Sequence, residues 1–344
     1  MGRQQDGADG GRPEGEALPT LAGIEAARDR IAPYLQETPL VRSAALSALL
    51  SAEVWLKVET VSPIASFKAR GALNHILRAR EEGPCETAVT SSTGNHGQGV
   101  ACAAAALEMR SDIFLPVGSV AVKRRMIELF GGTVHEIGHD IDSAKEHAKA
   151  FADRHRSTFV DDGESFTMIE GAGTVGLEIA QRLDGVQRLY VPMGSGVLAS
   201  GVATAMKALQ PQATVIAVQS EGSPAMTESF RARRPVEVPI DTFADCIVCR
   251  VPALRALRGV IERVDDCRLV SDDELLSAMH TMLVWGHLLV EPGSAAPLAR
   301  AFRDRAEIAG QRVVLVASGA NVGTRMIERC LAAPLLGETG RDVV

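Results

Sequence analysis

Between residues 86 and 218, short runs rich in β-branched residues alternate with longer segments of helical pattern. The predicted strands are 87–90, 112–115, 133–136, 158–160, 188–191 and 214–218. The predicted helices between them lie near 95–109, 120–130, 140–155, 168–184 and 198–209. Such alternation is typical of parallel βαβ units that carry helices on both faces of a sheet. It predicts an α/β, doubly wound fold.

The segments outside this region continue the same pattern. Residues 54–58 and 312–317 have the apolar composition of buried strands, and 271–284 and 294–309 have that of helices. No fixed-period repeat and no sharp linker interrupts them. We therefore expect any second domain to be inserted within the first.

Length and composition predict about two domains. A chain of 344 residues that is 46% hydrophobic can bury one large core or two moderate ones. We place a large domain at 19–80 and 160–344 and a small domain at 81–159. Residues 1–18 are rich in glycine and charge and lack the apolar stretch of a signal peptide, which predicts a disordered tail.

Charge and composition exclude several classes of partner. The net charge is -7 with both signs mixed, so no basic field is available for nucleic acid or an anionic membrane. Aromatic residues make up only 4% of the chain, and no run approaches the ~20 apolar residues of a membrane span. Six cysteines are too few for a disulfide scaffold in a chain of this length. We expect a cytoplasmic protein that acts on a small molecule.

A lysine opens one of the predicted helices. Lys68 lies in the segment 66–72, SFKARGA, which follows the predicted strand 54–58. A cation at a helix start faces the positive end of the helix dipole, which is unfavourable for an ordinary surface charge. Such a position suits an amine that acts as nucleophile or base. The alternative is a solvated lysine with no role.

Three further segments begin where a predicted strand ends. Residues 91–99, SSTGNHGQG, join a strand to a helix, and their small polar side chains favour either helix capping or a carboxylate site. Residues 191–198, VPMGSGVL, bring glycines to a helix start, where backbone N–H groups can bind phosphate. Residues 317–321, ASGAN, end the last predicted strand, and ligands of open α/β sheets bind at such ends.

Taken in this order and at these separations, the four segments resemble the fold-type II pyridoxal-phosphate enzymes, which share the fold of the tryptophan synthase β subunit. Within that family they resemble the branch of serine/threonine dehydratases and serine racemase. The resemblance runs from about residue 20 to 330 and includes 38–40, TPL, and 291–295, EPGSA. It implies two doubly wound parallel-sheet domains, with the small one inserted in the large one, and a homodimer.

The resemblance also implies roles for individual residues. Lys68 would hold pyridoxal 5'-phosphate covalently, with Phe67 against its ring, Asn95 at the ring hydroxyl and Ser318 at the pyridine nitrogen. The cofactor phosphate would be bound by Gly194, Ser195, Gly196, Val197 and Leu198. The substrate carboxylate would be bound by Ser92, Thr93, Gly94, Asn95 and His96.

The implied reaction is β-elimination of water and then ammonia from a small β-hydroxy amino acid such as L-threonine or L-serine. Lys68 would act as the general base at Cα. Thr93 lies where racemases of this branch have a serine that reprotonates the opposite face, so racemisation stays an alternative. Two further interpretations stay open: β-replacement on the same cofactor, and a protein that binds the cofactor without catalysis.

The chain departs from the family pattern at several positions. Ser195 and Val197 interrupt a phosphate loop that often has four glycines in relatives, although the backbone donors are kept. Cys246 replaces a glycine close to the cofactor, where it would narrow the pocket or offer a reactive group. Gln219 and Ala225 stand where metal-dependent relatives have a glutamate and an aspartate. Since a hard cation needs charged oxygen ligands, we expect no metal there.

Overall fold

The structure is a computed structural model that describes residues 18–119, 121–155 and 157–338, without the side chains of 121–123. The predicted disordered tail, residues 1–18, lies outside the described residues except for its last position.

Ten strands occur in the described ranges. They are β1 (Leu40–Arg42), β2 (Glu53–Val58), β3 (Thr87–Ser91), β4 (Arg110–Leu115), β5 (Thr133–Glu136), β6 (Thr158–Phe159), β7 (Arg188–Pro192), β8 (Thr214–Ser220), β9 (Asp266–Val270) and β10 (Arg312–Ala317). The large sheet has the order β1-β2-β10-β7-β8-β9 and the small sheet the order β5-β4-β3-β6. All neighbours are parallel except β1, which pairs with β2 in antiparallel register.

Helices cover these sheets. They are α1 (Leu21–Ile31), α2 (Ala44–Leu50), α3 (Lys68–Glu82), α4 (Asn95–Ala106), α5 (Ala121–Leu129), α6 (Ile141–His155), α7 (Phe166–Arg182), α8 (Val197–Leu209), α9 (Ala225–Ala232), α10 (Leu254–Arg263), α11 (Asp272–Val284), α12 (Pro292–Arg303) and α13 (Thr324–Ala332). Short 3₁₀ turns lie at Glu59–Val61 and Asp245–Ile247. Within the part of the chain described, none of the helices has the length and apolar character needed to cross a membrane.

The predicted fold class is confirmed, since the strands of the small sheet lie together in sequence between β2 and β7 of the large sheet. Each strand predicted from the sequence forms within a residue or two of its expected bounds. The domain boundaries themselves stay a prediction, and the one placed after residue 80 falls inside α3. The sequence reasoning missed β1 and β9 as well as five of the helices.

Helices α7 and α8 pack closely against each other. A Cβ at Gly201 would lie 2.4 Å from the carbonyl oxygen of Ile169, and one at Gly176 would lie 2.7 Å from that of Val202. The absence of side chains at these glycines lets the two backbones approach directly. The start of α8, which carries the glycine loop, is therefore held against a rigid neighbour.

Candidate active site

One cavity of about 660 Å³ opens where the carboxyl ends of β3, β7 and β10 meet the starts of α3, α4 and α8. It contains every residue that the sequence analysis proposed for the site. These are Phe67, Lys68, Ser92, Thr93, Gly94, Asn95, His96, Gly194, Ser195, Gly196, Val197, Leu198 and Ser318. Residues separated by up to 251 positions thus share one cavity, as the strand-end rule requires.

The loop before Lys68 is fastened to the end of β10. The amide of Phe67 donates to the carbonyl of Ser318 at 3.0 Å, and the amide of Ala320 donates to that of Ala65 at 2.8 Å. Asn321 Nδ2 adds a bond of 2.8 Å to the carbonyl of Ile64. Because these bonds hold both sides of the loop, Lys68 starts α3 from a fixed position.

The Lys68 amine meets a carboxylate that the sequence analysis had not singled out. Lys68 Nζ donates to Asp162 Oδ1 at 2.6 Å and to Oδ2 at 2.5 Å. The amine also lies 5.2 Å from the ring centre of Phe67. Asp162 follows β6, so the ion pair joins the large-sheet helix α3 to a segment at the end of the small sheet.

Asn95 is held by groups from both sides of the cavity. Its Nδ2 donates to the two carboxylate oxygens of Glu291 at 2.8 and 3.0 Å. Its Oδ1 accepts from Asn321 Nδ2 at 2.8 Å. These bonds define the orientation of the amide, which the sequence analysis assigns to the cofactor ring hydroxyl.

The glycine loop before α8 has the features of an anion site. Gly196 has φ +88°, in the left-handed region that side chains disfavour, and a Cβ there would lie 2.8 Å from Met226. No described side chain caps this helix, so the N–H groups of its first turn are available to a ligand. A phosphate at this position would also be stabilised by the helix dipole.

The loop before α4 offers a second set of backbone donors. Gly94 is the residue before the helix, and among the described side chains none caps it. His96 Nε2 lies 3.0 Å from both the Thr90 hydroxyl and the Val160 carbonyl, to which Thr90 also donates. Burial lowers the pKa of His96, so the ring is neutral near pH 7. An anion at this loop would therefore be held by backbone N–H groups and by the dipole of α4, and not by a charged His96.

Cys246 lines the cavity beside the start of α12. Its sulfur accepts from the amide of Gly293 at 3.2 Å. Burial raises the pKa of the thiol well above its ordinary value, and the nearby carboxylates of Glu291 and Asp245 raise it further. Cys246 is a neutral thiol in this environment, and its volume occupies part of the cavity wall.

At the position of the family's cation site, the side-chain oxygen of Gln219 is hydrogen-bonded within the protein. Gln219 Oε1 accepts from both the amide and the hydroxyl of Thr227 at 3.0 Å. Ala225, the other departure, carries no ligand atom on its side chain. Over the described residues, no group of three or more histidine, cysteine or acidic side chains has a metal-binding arrangement.

The sequence analysis missed the site role of Asp162, although a signal for it existed. Asp161 and Asp162 directly follow the predicted strand 158–160, at the same kind of strand end as the other site loops. The strand-end rule that selected those loops would also have selected this pair. Their partners could not be predicted, because the Lys68 contact spans 94 positions.

The chain matches known proteins over most of its length. A family model described as pyridoxal-phosphate dependent enzyme matches residues 31–319. The chain is 33% identical to the L-threonine ammonia-lyase of Thermotoga maritima over 325 residues, which cover 94% of this chain and 80% of that enzyme. It is 31% identical to the catabolic L-threonine dehydratase of Staphylococcus aureus over 331 residues, with 94% and 96% covered.

A solved structure matches the fold over a similar extent. Maize serine racemase superposes with a TM-score of 0.85 at 27% identity, covering 92% of this chain and 98% of that one.

Proposed function

Because the chain belongs to the family of pyridoxal-phosphate dependent enzymes, we propose that it removes water and then ammonia from a small β-hydroxy amino acid, L-threonine or L-serine. The observation that carries this proposal is the cavity that Lys68 shares with two helix starts, those of α4 and α8, which no described side chain caps. The family and the cofactor predicted from the sequence are confirmed by the matches. The threonine ammonia-lyase relative supports the lyase reaction.

The residues present fit pyridoxal phosphate. A Cβ at Gly194 or Gly196 would crowd the protein itself, at 3.0 Å from the backbone of Ile247 and 2.8 Å from Met226, so the loop can keep this backbone path only with glycine at both positions. The N–H groups that open α8 suit a phosphate dianion. Lys68, Asn95 and Ser318 line the same cavity, and hydrogen bonds to Glu291 and Asn321 orient the Asn95 amide. Phosphate, ring and covalent attachment therefore each have a candidate partner.

The bound cofactor would supply an electron sink for negative charge at the substrate Cα. Lys68 would take the Cα proton as general base, from a position fixed by the bonds of its loop to β10. The N–H groups at the start of α4 would hold the substrate carboxylate and so orient the Cα–H bond. Ser318, which lines the cavity, would present a neutral hydroxyl and not a carboxylate to the pyridine nitrogen. That choice favours prompt loss of the β-hydroxyl over a long-lived carbanion.

Racemisation is the second candidate function, and one observation favours it. Thr93 lines the cavity on the α4 side, and its hydroxyl could return a proton to the face opposite Lys68. The match to maize serine racemase is consistent with this reaction. A threonine hydroxyl in place of a serine hydroxyl leaves the reaction available but less favoured.

A substrate screen tests the proposal. The purified enzyme is incubated with L-serine, L-threonine and other β-hydroxy amino acids, and both 2-oxo acids and D-amino acids are quantified. We expect 2-oxo acid and ammonia in equal amounts, in large excess over any D-amino acid. Predominant D-amino acid would replace the proposal by racemisation. A protein that holds the cofactor but forms neither product would be a non-catalytic binding protein.

We also propose that the enzyme works as a homodimer in the cytoplasm. The support is the resemblance to the dehydratase branch and the six cysteines, which are too few for a disulfide scaffold in a chain of this length. Sedimentation equilibrium measures the first property, and fractionation of cells measures the second.

A further inference from the structure

The carboxylate of Asp162 has no role in the proposed elimination, yet both of its oxygens bind the catalytic amine. The Lys68 side chain is only 11% exposed and that of Asp162 28%, so water screens the pair weakly. We propose that Asp162 is a positioning residue, which receives the Lys68 amine whenever the amine is not bonded to the cofactor. This inference rests on the proposed function, because only a lysine that leaves and regains the cofactor in every cycle needs such a partner.

The charges around the pair favour an ionised carboxylate. Burial would raise the pKa of Asp162, but the charge and the hydrogen bonds of the Lys68 ammonium and, more weakly, the charge of Lys145 hold it below its ordinary value. The neighbouring acid, Asp161, is paired with Lys145. Burial raises the pKa of the nearby Cys249 thiol to about 12, so that group adds no charge near pH 7. Asp162 is therefore a hydrogen-bond acceptor over the working pH range.

The chemistry of proton abstraction uses such an acceptor. When Lys68 takes the Cα proton, the C–H bond breaks, its electron pair stays on the substrate, and a new N–H bond forms. The resulting ammonium has hydrogens to donate, and Asp162 accepts them without taking the proton itself. The structure shows Lys68 in this arrangement, so the protein is already organised for the state that follows proton transfer.

The adjacent residue provides a matched control. Asp161 has the same charge and is 13% exposed, but its Oδ2 pairs with Lys145 at 2.9 Å. Asp161→Asn removes one negative charge from the adjacent position of the same segment. Any general effect of charge on phosphate binding should thus occur in both variants, whereas loss of the Lys68 contact occurs only in Asp162→Asn.

The first test measures cofactor affinity and does not need turnover. Cofactor-free enzyme is titrated with pyridoxal phosphate, and the visible absorbance of the attached cofactor is measured. Covalent attachment must break the ion pair of the wild type. Asp162→Asn should therefore bind the cofactor about threefold to tenfold more tightly than Asp161→Asn, the range expected of a partly exposed pair. Equal affinities of the two variants would overturn the proposal.

The second test measures kinetics. In Asp162→Asn we expect kcat to fall about 10- to 100-fold, within the range of one general-base contribution, and KM to change less than threefold. The isotope effect with Cα-deuterated substrate should increase, and Asp162→Glu should recover part of kcat. A change confined to KM would instead make Asp162 a substrate-binding residue and overturn the proposal. A wild type without lyase turnover would contradict the proposed function, and the affinity comparison would still decide the role of Asp162.

Discussion

Two of the cations on helix α3, Lys68 and Arg70, lie in opposite kinds of environment. Arg70 is 1% exposed and bonds Glu59, Glu178, Thr38 and Thr174, so that each of its nitrogens has a partner. Lys68 lines an open cavity, and Asp162 is the carboxylate that it meets among the described residues. The first cation is completely bonded within the protein. The second keeps a single ionic contact that it can exchange.

The electrostatics follow this difference. Burial would lower the pKa of Arg70, but the carboxylates of Glu59 and Glu178 raise it above its ordinary value. Burial would raise the pKa of Glu59, but the charges of Arg70 and Lys57 outweigh burial and hold that pKa below its ordinary value. For Lys57 burial prevails, and its pKa is lowered in spite of the acids beside it. Arg70 and Glu59 are therefore the charged centre of the network. Removal of one partner from a saturated buried site of this kind is destabilising, and the site is not free for a ligand.

The strongest test of the comparison is to remove the exchangeable cation. Lys68→Ala should abolish cofactor attachment and lower kcat/KM by at least about 10³-fold, because nucleophile and base are lost together. The free energy of unfolding of the cofactor-free protein should fall less than in Arg70→Met, since Lys68 loses contact with one carboxylate and Arg70 with two. Absorbance and steady-state kinetics measure the first effects. Borohydride reduction of the wild type followed by peptide mapping should label Lys68, and a label on another lysine would disprove the assignment.

Removal of the saturated cation should instead destabilise the fold. Arg70→Met leaves Glu59 and Glu178 buried without their main partner, which costs about 3–5 kcal/mol. Arg78 lies on the exposed side of the same helix and pairs with Glu81 and Glu82. Arg78→Met should cost about 0–1 kcal/mol. Urea unfolding of the cofactor-free proteins measures both.

Acid titration gives this comparison a second readout. Since the folded-state pKa of Glu59 is lowered, its stabilisation is present above the ordinary glutamate pKa of about 4.3 and is lost as the pH falls through the folded value. Arg70→Met removes the main cause of that lowering. Its unfolding free energy should therefore fall less steeply on acidification than that of the wild type. Parallel curves would show that the network contributes nothing as an ion pair.

Cys246 is intermediate between the two kinds of site, since its thiol has one internal bond and also lines the cavity. Cys246→Gly should widen the pocket and raise relative kcat/KM on bulkier β-hydroxy amino acids. The expected change in discrimination is about 1–3 kcal/mol, as for a methylene in a binding pocket. The ratios for serine, threonine and a bulkier substrate measure it. Unchanged ratios with a lower Tm would mean that Cys246 serves only for packing.

The smallest effect on activity is expected from removal of divalent cations, because the oxygen of Gln219 already accepts two hydrogen bonds from Thr227. A neutral amide and the side chain of Ala225 do not provide the charged oxygens of a divalent-cation site. Treatment with a chelator should leave both kcat and Tm unchanged. Restoration of a lost activity by magnesium or manganese would contradict this prediction.

Much of this organisation was predictable from the sequence, and the remainder depended on tertiary contacts. Period and composition identify the buried parallel strands, and small polar residues after them identify the loops of the cavity. The strand β9, Asp266–Val270, was missed because two of its five residues are charged. The three-residue edge strand β1 is too short to show a period. The place of Asp162 after a predicted strand could have selected it, but a local pattern does not encode its partner Lys68, 94 positions away.

The position of β10 has a consequence for the synthesis of this protein. The strand lies between β2 and β7, although 254 positions separate the end of β2 from its start at Arg312. At ribosomal rates of about 5–20 residues per second, β2 is synthesised roughly 10–50 s before its neighbour β10. During that interval the nascent chain exposes unpaired strand edges, which are templates for aggregation. The reactive lysine also lacks its anchoring loop until residues 318–321 emerge, so catalytic competence is one of the last properties the chain acquires.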